Sequence, residues 1–308
     1  MTTSVGKKVP ESVRARLLNL AREQGIDFQL LLTRYGLERL LYRLSQSAYR
    51  DRFILKGAML FVLWSDNPHR ATRDIDFLGS GDSSEDGLLE AFREISAIEI
   101  EDDGVVFDPR SVRVEPIRDD TEYGGSRITL TGELAGARIP VQADVGFGDA
   151  VTPEAVETIY PTLLGGAAPS LRTYPRETVI AEKYQALVAL GMANSRMKDY
   201  YDLWVMARSF NFEGSVLAAA IRNTFGRRRT ELPQEAPLGL LPAFFEDGQK
   251  AAQWRAFLTK MDMPVGEVGL NDVCEVLWRF FEPPTRAAGR DEEFNAIWPL
   301  GGPWESVE

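Results

Sequence analysis

Histidine and cysteine are nearly missing from this chain: His69 and Cys274 are the only ones in 308 residues. A single cysteine excludes an intramolecular disulfide and points to a reducing compartment, the cytoplasm. Cys274 lies in an apolar, helix-like stretch, where packing suits it better than nucleophilic work. One histidine and one cysteine assemble neither a zinc-ligand cluster nor a serine–histidine mechanism. A glycine-rich P-loop with its Lys-Ser/Thr ending is also missing. So is a membrane span: the apolar run from Phe53 to Trp64 is too short and contains Lys56. Met1 to Lys8 lead into no apolar signal core, and no internal repeat is visible. The net charge of −11 argues against a surface broadly coated by nucleic acid. The acids crowd between Asp82 and Glu122, whereas bases gather at Arg196, Lys198, Arg222 and Arg227-Arg228-Arg229. Such bases are either solvated loop arginines or the phosphate contacts that a nucleic-acid substrate needs. Carboxylate chemistry is what remains.

Its centre is Thr72-Arg73-Asp74-Ile75-Asp76-Phe77-Leu78. On a strand, residues two apart share a face, so Asp74 and Asp76 project together while Ile75 and Phe77 enter the core. Two adjacent carboxylates repel each other, and a cation between them relieves the repulsion. Mg²⁺, or Mn²⁺, suits such oxygen ligands and commonly bridges one or two carboxylates to substrate phosphates. A solvated acidic strand end is the alternative for an isolated pair. Upstream, Phe53 to Lys56 reads as a buried strand, Gly57-Ala58 as a break, and the residues to Trp64 as an apolar helix. Small residues at that turn let backbone N–H groups approach a phosphate, or simply permit a tight turn. Asp66 to Arg70 reads as a polar loop in which Arg70 stands near any bound triphosphate. Ile139 to Phe147 is a second strand-like run with one carboxylate, Asp144, among apolar neighbours. Arg127 to Thr131 reads as its hairpin partner. Three carboxylates converging on metal are the equipment of phosphoryl or nucleotidyl transfer.

Four ordered blocks of this chain resemble the nucleotidyltransferase toxins of the AbiEii/AbiGii type, from type IV toxin–antitoxin systems. They are Leu55-Lys56-Gly57-Ala58, Arg70-x-Thr72-x-Asp74-Ile75-Asp76-Phe77, Ala181 to Leu187, and Arg196-x-Lys198-Asp199-Tyr200-Tyr201-Asp202-Leu203. The wider nucleotidyltransferase pattern has Gly-Gly or Gly-Ser at the turn; Ala58 keeps the N–H and small size but lacks a serine hydroxyl. The resemblance implies a polymerase-β-like domain with an NTP as substrate and catalytic residues Asp74, Asp76, Asp144, Lys183 and Asp199. It implies nucleotide contacts from Lys56, Gly57, Ala58, Arg70, Thr72, Arg196, Lys198 and Asp202. Lys183 would bind phosphate as a compact charge; on residues alone, its stem packs along the helix and its head reaches water. Asp199 would orient Lys183 or a water, or act as general base. Asp202 would join it, or form an ordinary i,i+4 pair with Lys198. The resemblance further implies an RNA acceptor, the 3′ end of tRNA foremost, a cognate antitoxin, and phosphorylation of Thr72 as a way to silence the enzyme.

The expected fold class is α+β: N-terminal helices over residues 1–50, an α/β core over 51–165, and a helical C-terminal domain over 166–308. Val13, Leu17, Leu20 and Ala21 form one helical stripe and Leu37, Leu40, Leu41 and Leu44 another, with Asp27 as N-cap between them. Leu88 to Ile95 reads as a helix within the core. Gly165 to Pro169 marks the passage to the C-terminal half, where helices begin at Pro175 and cover Val216 to Phe225, Gln249 to Met261 and Leu270 to Phe281. Glu282-Pro283-Pro284 is expected to stop the last helix, leaving an extended end from Gly289. Two rivals stand beside an RNA-directed transferase. One is a phosphoryl transferase, nucleotide hydrolase, or nucleotidyl transferase acting on protein or a small molecule. The other is a non-catalytic partner-binding protein.

Overall fold

The computed structural model describes residues 8–65, 72–100, 103–117, 124–261 and 268–307. Two compact units emerge, the first from residues 1–148 and 155–174, the second from 149–154 and 175–308.

In the first unit, α1 (Lys8–Gln24) and α2 (Phe28–Gln46) precede β1 (Phe53–Lys56). The Asp27 carboxylate accepts from the Leu30 N–H at 2.9 Å and caps α2. A 3₁₀ turn over Gly57–Leu60 runs into the single-turn α3 (Phe61–Trp64), so the expected apolar helix is cut short. Then follow β2 (Ile75–Gly79), α4 (Glu85–Ala97), β3 (Val106–Ile117), β4 (Gly125–Leu134), β5 (Ala137–Phe147), β6 (Val156–Ile159) and β7 (Ser170–Thr173). The strands form one mixed sheet in the order β3-β4-β5-β2-β1-β7-β6. Its alternation is strict where the site lies. Phe53, Leu55, Ile75, Phe77, Ile128, Leu130, Ile139, Val141, Ala143 and Val145 are all buried on the helix-covered face. Gly36 lets α2 seat there, since a Cβ at this position would meet Ile139 Cγ2 at 2.5 Å. Phe53, Phe77 and Phe92 of α4 interlock with ring centroids 5.5 to 6.5 Å apart. Each such buried ring contributes about 1.5–3 kcal/mol through burial alone. That core fixes the register of β1 and β2, and hence whatever projects from their opposite face.

The second unit contains α5 (Arg176–Leu190), α6 (Met197–Ser209), β8 (Phe212–Glu213), α7 (Gly214–Arg227), α8 (Pro242–Phe245), α9 (Gly248–Lys260), α10 (Leu270–Arg290), β9 (Ala296–Trp298) and β10 (Glu305–Ser306). α10 does not stop at its prolines: Pro283 and Pro284 lie inside it. Pro284 cannot donate to the carbonyl four residues earlier, that of Phe280. The Trp304 indole N–H takes the vacant place at 3.0 Å from that oxygen. Thr285, Ala287 and Ala288 beyond the prolines are buried, which holds the last turns to the unit. The tail after them forms β9 and β10, which complete a three-stranded sheet in the order β10-β9-β8, so the unit is not wholly helical. Cys274 is buried, and burial pushes its thiol up to about 12, so it packs and does not react.

Candidate active site

On the face opposite the aromatic core, register draws a row of charges across the sheet. Lys56 of β1 pairs with Asp76 of β2, Asp76 with Asp144 of β5, and Asp144 with Arg127 of β4. Paired residues share a face, so ammonium, two carboxylates and guanidinium stand side by side on neighbouring strands about 4.8 Å apart. Asp74 directly precedes β2 instead of lying in it. It still belongs to the cluster, because its charge and that of Asp76 help hold Arg127 protonated; hydrogen bonds to Asp144 are the larger cause. The Thr72 hydroxyl donates to the Asp74 carboxylate and orients it from outside the strand.

Gly57 closes the site from below. It has φ +74°, and a side chain there would overlap the Asp76 carboxylate. The glycine thus provides both the turn out of β1 and the space that Asp76 occupies. Ala58, next to it, is buried. The Lys56 ammonium extends over the sheet, where a side chain at Gly146 would meet it at 3.8 Å. Asp66 to Ala71, with His69 and Arg70, lie outside the described residues.

Arg127 is the member of this cluster that the sequence named only as part of a hairpin strand. Its Nε and Nη2 donate to the two Asp144 oxygens at 2.9 and 2.8 Å, a bidentate fork. This bears on metal binding. The half-buried carboxylates of Asp74 and Asp76 are hard oxygen donors at the edge of a glycine turn and fit a Mg²⁺ or Mn²⁺ ion. At Asp144 both oxygens already accept from the guanidinium, and no group of three acidic, histidine or cysteine side chains already surrounds one point among the described residues.

The second unit presents its own cluster. Lys183 of α5 is paired with Asp199 and, at 3.0 Å, with Asp202, both on α6. Its side chain is 15% exposed and that of Asp202 not at all. The lysine head does not simply reach water, as a packed stem would predict; it is fixed between two carboxylates. Asp202 thereby serves Lys183, while Lys198 is exposed, as is Arg196. The expected basic run at 227–229 is partly structural: Arg228 grips Asp149 at 2.9 Å, Glu182 at 3.3 Å and the Gln185 side-chain oxygen at 2.9 Å.

A mixed sheet with an acidic row beside a glycine turn is an arrangement that suits metal-assisted nucleotidyl transfer. The family profile described as "Nucleotidyl transferase AbiEii toxin, Type IV TA system" matches residues 39–282, and the chain belongs to that family. Nucleotidyl transfer from an NTP is therefore its activity, and an antitoxin its expected counterpart. No curated protein matches the sequence. Among solved structures, JHP933 from Helicobacter pylori is 14% identical, with a TM-score of 0.48 over 86% of this chain and 94% of that one. A second H. pylori structure, provisionally described as a nucleotidyltransferase, has the same identity and TM-score and is covered over 97% of its length. Among the described residues, no helix is long and apolar enough to cross a membrane.

Proposed function

We propose that the chain transfers a nucleoside monophosphate from an NTP to a hydroxyl of an RNA acceptor, with the tRNA 3′ end the foremost candidate. The observation that carries this reading is the row Lys56–Asp76–Asp144–Arg127 standing over Gly57. Two adjoining carboxylates flanked by two cations suit a polyphosphate and its counter-ion better than they suit an apolar or neutral substrate. The acceptor oxygen bonds to the α-phosphorus, the α–β anhydride bond breaks, pyrophosphate leaves, and the hydroxyl proton passes to a neighbouring carboxylate. A divalent ion held by Asp74 and Asp76 would supply Lewis-acid stabilisation of phosphoryl charge and acidify a nearby hydroxyl.

Gly57 and Ala58 would give the backbone close access to phosphate, and Asp144, paired with Arg127, would help Asp74 and Asp76 hold the ion. We assign Lys183 to a nucleotide phosphate; Asp199 and Asp202 keep its ammonium oriented. Thr72, already bonded to Asp74, would on phosphorylation bring about −1.5 to −2 charges against that carboxylate and switch the site off.

The test is incubation with Mg²⁺, each labelled NTP in turn, and total RNA. Label should enter RNA with wild-type protein and be lost with Asp74→Asn or Asp76→Asn, whose melting temperatures should stay near wild type. Label released as free nucleotide and phosphate would make the protein a hydrolase instead, and undiminished turnover in either variant would remove the substituted residue from the reaction and overturn the paired-carboxylate site.

A further inference from the structure

A cavity of about 650 Å³ lies in the first unit, lined from β3, β4, β5, the residue before Asp74, and the start of α2. Part of its lining lies on the charged face of the sheet, while Leu130, Val141 and the start of α2 contribute from the helix-covered side. Thr129 and Thr131 follow Arg127 at two-residue steps on β4, and Gln142 and Pro140 precede Asp144 likewise on β5. The cavity therefore begins one row, roughly 7 Å, from the Arg127–Asp144 pair.

A β-bulge opens it. The β3–β4 register shifts between Asp108 and Arg113, and Pro109 within that stretch has no N–H for the ladder. The Ser111 hydroxyl accepts from the Thr131 N–H at 2.9 Å where a strand carbonyl would otherwise stand. Bulges of this kind re-aim side chains beside active sites.

Three arginines line the space: Arg73, Arg113 and Arg138, all exposed. Arg113 donates to the carbonyls of Arg110 and Val112 at 2.8 Å, and Arg138 to the Thr131 hydroxyl at 3.3 Å. None of the three makes an ion pair among the described residues. Asp27 is the single acid in the lining, and its carboxylate is engaged at the α2 N-terminus. Glu133 faces Arg138 in register without bridging it. Hydroxyls and amides of Gln29, Thr33, Ser111, Thr129, Thr131 and Gln142 supply the rest of the polar lining, and no aromatic ring is present.

We infer that this cavity seats the phosphodiester backbone of the acceptor strand next to the reacting carboxylates. The inference rests on the RNA-directed reading above. Forked guanidinium donors suit phosphate oxygens. With three arginines and no stacking ring in the lining, the grip is chiefly on the backbone and only weakly dependent on sequence.

The experiment compares wild type with Arg113→Gln/Arg138→Gln, which leaves Arg73 beside Asp74 untouched. Single-stranded RNAs of several sequences are titrated by fluorescence anisotropy across a salt series, with NTP binding measured separately and melting temperatures recorded. The double variant should bind every RNA more weakly by a similar factor. Its plot of log affinity against log salt should be shallower by about 1.4, the amount two lost phosphate contacts carry on a single strand. NTP binding without RNA should not change. The single variant Arg138→Gln, which loses only a hydroxyl contact, should show about half the change in slope if the double variant is poorly folded.

RNA affinity and salt slope equal to wild type would overturn the inference, as would a selective loss of NTP binding, which would make the cavity a triphosphate seat. Loss of affinity for polyglutamate with RNA binding intact would overturn it in favour of an acidic protein partner. The two readings fail separately. Wild-type protein that binds RNA through these arginines but transfers nothing to it upholds the seat and sinks the acceptor assignment. Transfer to RNA that ignores the double variant does the reverse.

Discussion

A side chain at position 57 would have to adopt φ near +74° and push the Asp76 carboxylate aside. Gly57→Ala should therefore cost about 1–2 kcal/mol for the left-handed conformation alone. It should lower turnover far more than stability, by about 100-fold or more, because small misplacements of reacting groups are expensive. Parallel melting curves and kcat measurements check this; wild-type turnover would mean that the position of Asp76 is not critical. Gly57 and Asp76 were legible as a small residue at a break and an acid in a period-2 strand. Arg127 was not, because its role depends on the hairpin register. That register is set by Ala135-Gly136, whose φ values are 46° and 77°. Alanine rarely takes such an angle, so the turn carries no Asn-Gly or Asp-Gly signature from which to count Arg127 opposite Asp144.

Among the elements, α10 shows why local rules can mislead. Two prolines normally end a helix, and the expectation of a stop at Glu282 followed from that rule. What overrides it is a long-range donor: Trp304, 24 residues beyond Phe280, caps the carbonyl that Pro284 leaves without a partner. Trp304 also stacks on Phe280 at 5.8 Å between centroids. Trp304→Phe keeps much of the ring contact but removes the donor, and should destabilise the protein by about 0.5–1.5 kcal/mol, the net worth of a partly buried hydrogen bond. Denaturant titration measures it; an unchanged midpoint would mean that water replaces the indole. The helices with apolar stripes, α1, α2, α4 and α7, were legible because their own residues determine them. β9 and β10 were not, since strands of three and two residues leave too little pattern to read.

For the molecule as a whole, the pH dependence of stability has an unusual contributor. Glu38 is 3% exposed, accepts from Arg39 at 2.6 Å and from the Leu163 N–H at 2.7 Å, and so ties α2 to the segment before β7. Burial raises its pKa above the ordinary 4.5, against the opposing pull of Arg39 and that N–H. A carboxyl raised in the folded state adds stability below its unfolded pKa and loses that contribution as pH climbs through the folded value. Glu38→Gln lacks this titration. The melting temperature of wild type minus that of the variant should fall as pH rises from below the ordinary carboxylate value through the raised folded one. A difference that grows over the same range would show that pairing with Arg39 outweighs burial.

The residues 149–154 belong to the second unit although the chain returns to the first for β6 and β7. Thr152 exchanges hydrogen bonds with Thr178, its N–H donating at 2.9 Å and its carbonyl accepting at 2.8 Å, and Asp149 pairs with Arg228. No single breakpoint in the gene can therefore lift out either unit whole. A fragment beginning at residue 175 would leave Thr178 and Arg228 without these partners, and one ending at 148 would lack two strands of its sheet. A copy cut at either boundary is therefore expected to be inert and not a weaker poison.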